Sequence, residues 1–330
     1  MPANIAMVFP GQGSQSVGML AAYGDVPVIR ETLVEASDIL GQDVAKLIAE
    51  GPAEALDSTV NTQPVMVTVG ICVWRAWRDL HGLDFMVLAG HSLGEYTALV
   101  AAGAITFADC LPLVRLRAQA MQEAVPRGQG AMAAILGLDD AAVREACADA
   151  TQGEVVETVN FNAPGQVVIA GHARAVQRAM EAALAKGAKR TVALPVSAPF
   201  HSSLMAPAAA RLREALEGIA VATPRIPVIH NVDARTHTDP DAIKSALVTQ
   251  ADHPVLWVEC VKQIAARGAT HVLECGPGRV LAPLARRISD GLHGIALVDW
   301  RRIEHASHGV LGMDTYRRED EQALPFTKPK

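Results

Sequence analysis

The segment Ala89-Gly90-His91-Ser92-Leu93-Gly94 constrains this chain more than any other. It places a serine between two glycines in a G-x-S-x-G pattern, directly after the apolar run Phe85-Met86-Val87-Leu88. A helix-forming stretch, Glu95-Tyr96-Thr97-Ala98-Leu99-Val100-Ala101-Ala102, follows and is closed by Gly103. Strand, sharp turn and helix in that order form the setting of a nucleophile elbow. Glycines have no Cβ, so the backbone can turn tightly and a substrate can approach closely. The hydroxyl is then held out beyond the sheet, beside the free N–H groups of a helix start. A bland turn serine is the competing reading, and the flanking strand and helix favour the nucleophile.

Bulk properties bound the rest. A chain of 330 residues can bury a large core and predicts one large domain or two. The formal net charge of −6 leaves no basic surplus to neutralise phosphates, which argues against nucleic acid as a partner. The start, Met1-Pro2-Ala3-Asn4, lacks the basic and apolar regions of a secretory signal. No uncharged apolar run approaches the roughly 18–20 residues that span a bilayer, so no membrane partner is expected. The longest run, Pro64 to Trp74, stops at Arg75. Cys72, Cys110, Cys147, Cys260 and Cys275 are scattered and never spaced as C-x-x-C. That pattern predicts a reduced, cytoplasmic protein without disulfides or a zinc site.

Along the chain, Ile5 to Phe9 reads as a buried strand ending at Pro10-Gly11-Gln12-Gly13. A helix is expected over Val28–Leu40, loops around Gly51-Pro52 and Gln63-Pro64, and a long helix over Val65–Leu80. Thr106-Phe107-Ala108-Asp109 is a capping-box candidate for the next helix, where Leu111, Val114, Ala118, Met121 and Val125 recur at helical spacing. Pro112 should bend its first turn. From Gly128 the pattern becomes strand (Ala131–Leu138), helix (Asp139–Ala148), strand (Val155–Asn160), strand (Gln166–Ala170), helix and strand (Arg190–Val196). Asn162-Ala163-Pro164-Gly165 forms the turn, and Val176, Met180, Ala183 and Leu184 mark the second helix. This is the split βαβ order of a ferredoxin-like unit. The larger pattern resumes near Pro207, with strands expected at Val228–Val232 and His271–Glu274. The expected fold class is therefore α/β. A large α/β-hydrolase-like domain with a parallel sheet (1–127 and 197–304) carries an inserted ferredoxin-like subdomain (128–196). After His305 the chain turns polar and aperiodic, which predicts a disordered tail over 305–330.

Three further motifs sharpen the reading. Phe9-Pro10-Gly11-Gln12-Gly13-Ser14-Gln15, Gly90-His91-Ser92-Leu93-Gly94-Glu95-Tyr96 and Phe200-His201-Ser202 resemble, in order and spacing, the successive motifs of the malonyl-CoA:acyl-carrier-protein transacylases. The resemblance runs from about residue 4 to 300. It extends to Gln63-Pro64, Asn160-Phe161-Asn162, Pro164-Gly165-Gln166, Asn231-Val232-Asp233 and Glu274-x-Gly276-Pro277-Gly278. It is closer to the free-standing enzyme of fatty-acid synthesis than to a domain cut from a polyketide synthase.

The resemblance implies that Ser92 is the nucleophile and His201 its general base, oriented by the backbone carbonyl of Gln250. It also implies an oxyanion hole from the backbone N–H groups of Gln12 and Leu93. His91 is expected to pack behind the elbow. A nucleotide-loop reading of Gly11-x-Gly13-x-x-x-x-Gly18 fails on spacing and on the missing Lys-Ser/Thr. Arg117 sits at the margin of its helix's apolar stripe and matches the family arginine that grips the free carboxylate of malonyl. A planar fork suits that carboxylate where lysine would not. Arg115 reads as a solvated neighbour. Phe200 agrees with malonyl over methylmalonyl, and Gln63, His91, Asn160 and Asn162 are further pocket candidates.

The reaction so implied is a ping-pong transfer from malonyl-CoA, through a malonyl-serine ester, to the phosphopantetheine thiol of acyl carrier protein. The implied substrates are malonyl-CoA and CoA, with no resident cofactor and no metal. Lys186, Lys189, Arg190, Arg286 and Arg287 are candidates for meeting the acidic carrier. One rival is a serine thioesterase or esterase of the α/β-hydrolase kind, which would place its histidine near the C-terminus. The others are a non-catalytic carrier-docking module and a malonyl transferase serving malonate decarboxylase or a polyketide system.

Overall fold

The computed structural model describes residues 4–81, 84–196 and 198–310. Nine strands occur among them: β1 (Ile5–Phe9), β2 (Val87–Gly90), β3 (Gly130–Leu136), β4 (Val156–Ala163), β5 (Gln166–His172), β6 (Arg190–Ala193), β7 (Val228–Ile229), β8 (His271–Glu274) and β9 (His293–Ala296). Five of them form one sheet in the order β7-β2-β1-β8-β9, with every pairing parallel. The other four form an antiparallel sheet in the order β4-β5-β3-β6. That order, with the helices Asp140–Ala150 and Ala173–Ala185 between strands, is the ferredoxin-like arrangement.

Every residue of β1 is buried, as a strand must be when helices cover both faces of a parallel sheet. Its side chains alternate between two cores. Ile5, Met7 and Phe9 enter the larger one, with the helices Pro27–Leu40, Thr59–His81, Gly94–Ala101, Phe107–Glu123 and Ala206–Glu217. Ala6 and Val8 enter the smaller one, with the helices Trp257–Ala266 and Leu281–Ile288. The antiparallel sheet buries one face under its own two helices. Its other face carries Met132, Val159, Val168 and Ala170, and Phe200 packs on both this group and the main core.

Several boundaries depart from the expectations. The helix placed at Val65 begins at Thr59 and runs through Pro64. Pro64 is only its sixth residue, so the missing N–H removes one early backbone bond, while Asn61 and Thr62 N–H already fix the first turn on the Ser58 carbonyl. The helix from Phe107, by contrast, runs through Pro112 as expected, its start capped by the Thr106 hydroxyl accepting from Asp109 N–H at 3.0 Å. The turn after β4 is only Pro164-Gly165, because Ala163 pairs with Gln166. The last strand of the small sheet stops at Ala193 and not at Val196. The strand expected over Val228–Val232 stops at Ile229. The division at 305 also falls inside an element. A helix spans Trp300–Val310, Ile303 and Ala306 are buried, and the Ile303 carbonyl lies 2.6 Å from His81 Nε2. The rest of the expected tail, 311–330, lies outside the described residues.

Candidate active site

Three loops meet at the carboxyl ends of β1, β2 and β7. The elbow after β2 is as tight as its glycines imply. A Cβ on Gly90 would lie 1.9 Å from Gly94 carbonyl atoms, and one on Gly94 would lie 2.1 Å from the Phe9 carbonyl oxygen. Ser92 itself adopts φ +52°, a region that costs a residue with a side chain on the order of 1–3 kcal/mol. Hydrogen bonds hold it there. Ser92 N–H donates to Asn231 Oδ1 at 2.7 Å, Gln250 Nε2 donates to the Ser92 carbonyl at 3.0 Å, and His91 N–H donates to the Phe9 carbonyl at 3.0 Å.

Ser92 Oγ lies 2.7 Å from His201 Nε2, and His201 Nδ1 lies 2.7 Å from the Gln250 carbonyl. A carbonyl can only accept, so Nδ1 carries the proton and Nε2 presents its lone pair to the serine. His201 also has positive φ, +64°. Burial above all, and the Arg117 charge after it, push the imidazole pKa down to about 3 despite the bond to Gln250. The imidazole is therefore neutral throughout the ordinary pH range.

Arg117 is 2% exposed. Its Nη1 donates to Gln63 Oε1 at 2.9 Å and its Nη2 to Gln250 Oε1 at 3.0 Å, with Ser92 Oγ 3.4 Å from the same Nη2. The guanidinium carbon lies 5.3 Å from the centroid of the buried Tyr96 ring. Burial lowers the arginine's pKa from its ordinary value, while Tyr96 and Glu95 pull it back. The Nε–H has no partner among the described residues and so remains a buried donor without an acceptor.

The structure thus brings Ser92, His201, Arg117, Gln63 and Gln250 into one hydrogen-bonded cluster. Leu93 is buried at the helix start, and Gln12 anchors its side chain on Thr59 Oγ1 at 3.1 Å. Neither residue's backbone N–H donates to a partner among the described residues. His91 turns behind the elbow, bonding Asn162 Oδ1 at 2.8 Å and stacking edge-on with Trp257. Asn160 is buried in β4, where the neighbouring backbone bridges to Val255, and no hydrogen bond joins its side chain to the cluster among the described residues. Arg115 is tied to the Leu40 carbonyl and to Gln42, away from Arg117's partners. Of the surface cations, Lys186 is paired with Glu145 and Asp149, each at 3.0 Å. Arg287 donates to Gln166 and to the Pro164 carbonyl, while Lys189, Arg190 and Arg286 are exposed.

Sequence reasoning missed a buried hub beneath the elbow. Glu95 accepts from Asn231 N–H at 2.8 Å and from Gln250 Nε2 at 2.9 Å, and lies 2.7 Å from His230 Nδ1. Asn231 Nδ2 also donates to the Gly90 carbonyl at 2.7 Å. All four side chains are 0% exposed. The available signal was Glu95 itself, a charged residue in an otherwise uncharged helical run, which must find partners if that helix is buried.

The chain is similar to known proteins along most of its length. Residues 6–302 match the family model of the acyl transferase domain. The malonyl CoA-acyl carrier protein transacylase of Salmonella typhimurium strain LT2 is 52% identical over 295 residues, covering 89% of this chain and 96% of that protein. The crystal structure of the acyl-carrier-protein S-malonyltransferase of Burkholderia pseudomallei 1710b superposes with a TM-score of 0.90 at 60% identity, covering 93% of this chain and 99% of that one. A malonyl-transacylase solved in complex with its type II PKS acyl-carrier protein gives a TM-score of 0.91 at 48% identity, covering 92% and 99%. The chain belongs to the acyl transferase family and, within it, to the malonyl-CoA:acyl-carrier-protein transacylases.

Proposed function

We propose that the protein transfers the malonyl group from malonyl-CoA to the phosphopantetheine thiol of acyl carrier protein and so supplies fatty-acid elongation. One observation carries the residue roles: a serine oxygen 2.7 Å from an imidazole nitrogen and 3.4 Å from a buried guanidinium. Ser92 Oγ attacks the thioester carbonyl while His201 Nε2 takes its proton. The tetrahedral oxyanion is held by the N–H groups of Gln12 and Leu93. CoA thiolate leaves with the proton from His201, which leaves malonyl esterified to Ser92. The carrier thiol then gives its proton to His201 and attacks the ester, restoring the serine. Arg117 holds the malonyl carboxylate throughout, and its unpartnered Nε–H leaves a donor for it.

This chemistry needs no resident cofactor. Among the described residues no helix is long and apolar enough to cross a membrane, and five free, buried cysteines suit a reducing cytoplasm. Exposed Lys189, Arg190 and Arg286 are the cations we assign to the acidic carrier, with Lys186 left out because its charge is already matched. A polyketide carrier is the second acceptor to consider, favoured by the neighbour solved with a type II PKS carrier.

Intact-mass spectrometry after malonyl-CoA addition tests the reading. A malonyl adduct on the wild type that is absent from Ser92→Ala, and is discharged by carrier protein and not by water, is expected. An unchanged mass would remove the covalent mechanism. Rapid loss of the adduct without carrier would favour a thioesterase.

A further inference from the structure

We propose that Glu95 is a positioning residue for malonyl selectivity, acting through the Gln250 side-chain amide on Arg117. The inference rests on the malonyl-transfer reading above. Gln250 is connected on every side. Its carbonyl accepts from His201 Nδ1, its Oε1 accepts from Arg117 Nη2, and its Nε2 donates to both Ser92 O and Glu95 Oε2.

A primary amide can face either way, and what surrounds it decides. The guanidinium has only donors, so it calls for the amide oxygen. A carboxylate has only acceptors, so Glu95 calls for the amide nitrogen. The two ends agree, and Gln250 is locked with its oxygen on Arg117. Glu95 is itself fixed by His230 Nδ1 and Asn231 N–H. Glu95, His230, Asn231 and Gln250 are all fully buried, so bulk water cannot stand in for a lost partner.

Malonyl and acetyl thioesters differ in the carboxylate that Arg117 holds. Ser92 and His201 serve both acyl groups alike. A change at Glu95 that frees the Gln250 amide to turn would bring an NH2 group against the guanidinium and displace it. Malonyl transfer should then fall further than acetyl transfer. A residue that only supported the fold would slow both by one factor.

The test is Glu95→Gln, which keeps size and removes the pure acceptor. Single-turnover acylation of Ser92 by malonyl-CoA and by acetyl-CoA is followed by intact mass, in the wild type and in an Arg117→Ala background. We expect the malonyl-to-acetyl ratio of acylation rates to drop at least fivefold in the single variant and to stay put in the Arg117→Ala background. An equal loss for both acyl groups, or a ratio change that survives without Arg117, would overturn the proposal. Should Glu95→Gln not fold, Gln250→Met keeps the carbonyl for His201 and deletes the amide. It is expected to lower the same ratio, and an unaltered ratio overturns the idea. A wild-type protein that never acquires malonyl on Ser92 would instead sink the underlying reading of the enzyme.

Discussion

Replacing Arg117 with Ala perturbs two things at once, and the structure gives each its sign. A carboxylate gripped by a guanidinium gains about 1.5–3 kcal/mol per hydrogen bond. Two such bonds would suggest about 3–6 kcal/mol, but Nη1 and Nη2 already hold Gln63 and Gln250. The carboxylate therefore shares or displaces neutral acceptors, and its clear gain is the unpartnered Nε–H. The lower end applies, about 3–4 kcal/mol, which is roughly 100- to 1000-fold in malonyl kcat/KM. Acetyl transfer, which has no carboxylate to lose, should change by less than about tenfold. The second effect falls on His201. Its pKa stands at about 3 because of burial first and the Arg117 charge second. Deleting Arg117 removes the second cause, so the pKa rises and the protonated, inactive imidazole persists to higher pH. Acetyl transfer by the wild type should be flat from about pH 5 to 7, while the acidic limb of the variant, still held low by burial, moves upward from its wild-type position. Stopped-flow release of CoA from both thioesters across pH 4–8 reads both effects. Equal losses for malonyl and acetyl would refute the carboxylate clamp, and an acidic limb that moves downward would refute the electrostatic coupling.

Other perturbations are simpler. Gly94→Ala would place a Cβ 2.1 Å from the Phe9 carbonyl oxygen, where backbone must move. Such overpacking should cost about 3 kcal/mol or more, seen as a lower melting temperature together with lost acylation, and a wild-type melting curve would contradict the tight elbow. Truncation before Trp300 removes buried Ile303 and Ala306 and should destabilise the protein in thermal melts. Truncation after Val310 lies beyond the family match at 302 and should leave turnover intact. A loss of activity there would give the last twenty residues a role. Asn231→Ala deletes the acceptor for Ser92 N–H and the donor to Gly90 O, and should slow malonyl and acetyl acylation by the same factor, about tenfold or more. A selective loss would mean that Asn231 acts on the substrate and not on the elbow.

What could be read from the chain was local. Ile5–Phe9 and His271–Glu274 coincide with strands because a short apolar run between turn signals has few other uses. The ferredoxin-like order was legible for the same reason, since each of its elements carries its own period. Pro64 misled because proline chemistry is a statement about one backbone bond. The helix Thr59–His81 loses that bond near its start and recovers it in burial, with residues from Gln63 to Val73 almost entirely enclosed.

The site divides along the same line. Ser92 announced itself because its elbow is built from contiguous residues, with glycines where any Cβ would collide. The contacts that orient it were not legible from spacing, although the resemblance pointed to both segments: Asn231 lies 139 positions away, Gln250 lies 158 away, and no periodicity links partners at that separation. Yet the two halves are not independent. The strained serine needs fixed donors and acceptors on both its N–H and its carbonyl, and these must come from elsewhere in the chain once the turn has used its own. The only charged residue of the elbow helix, Glu95, faces inward to gather them. A buried charge in an apolar run therefore marks where distant polar side chains have to converge. In this chain they converge beneath Ser92.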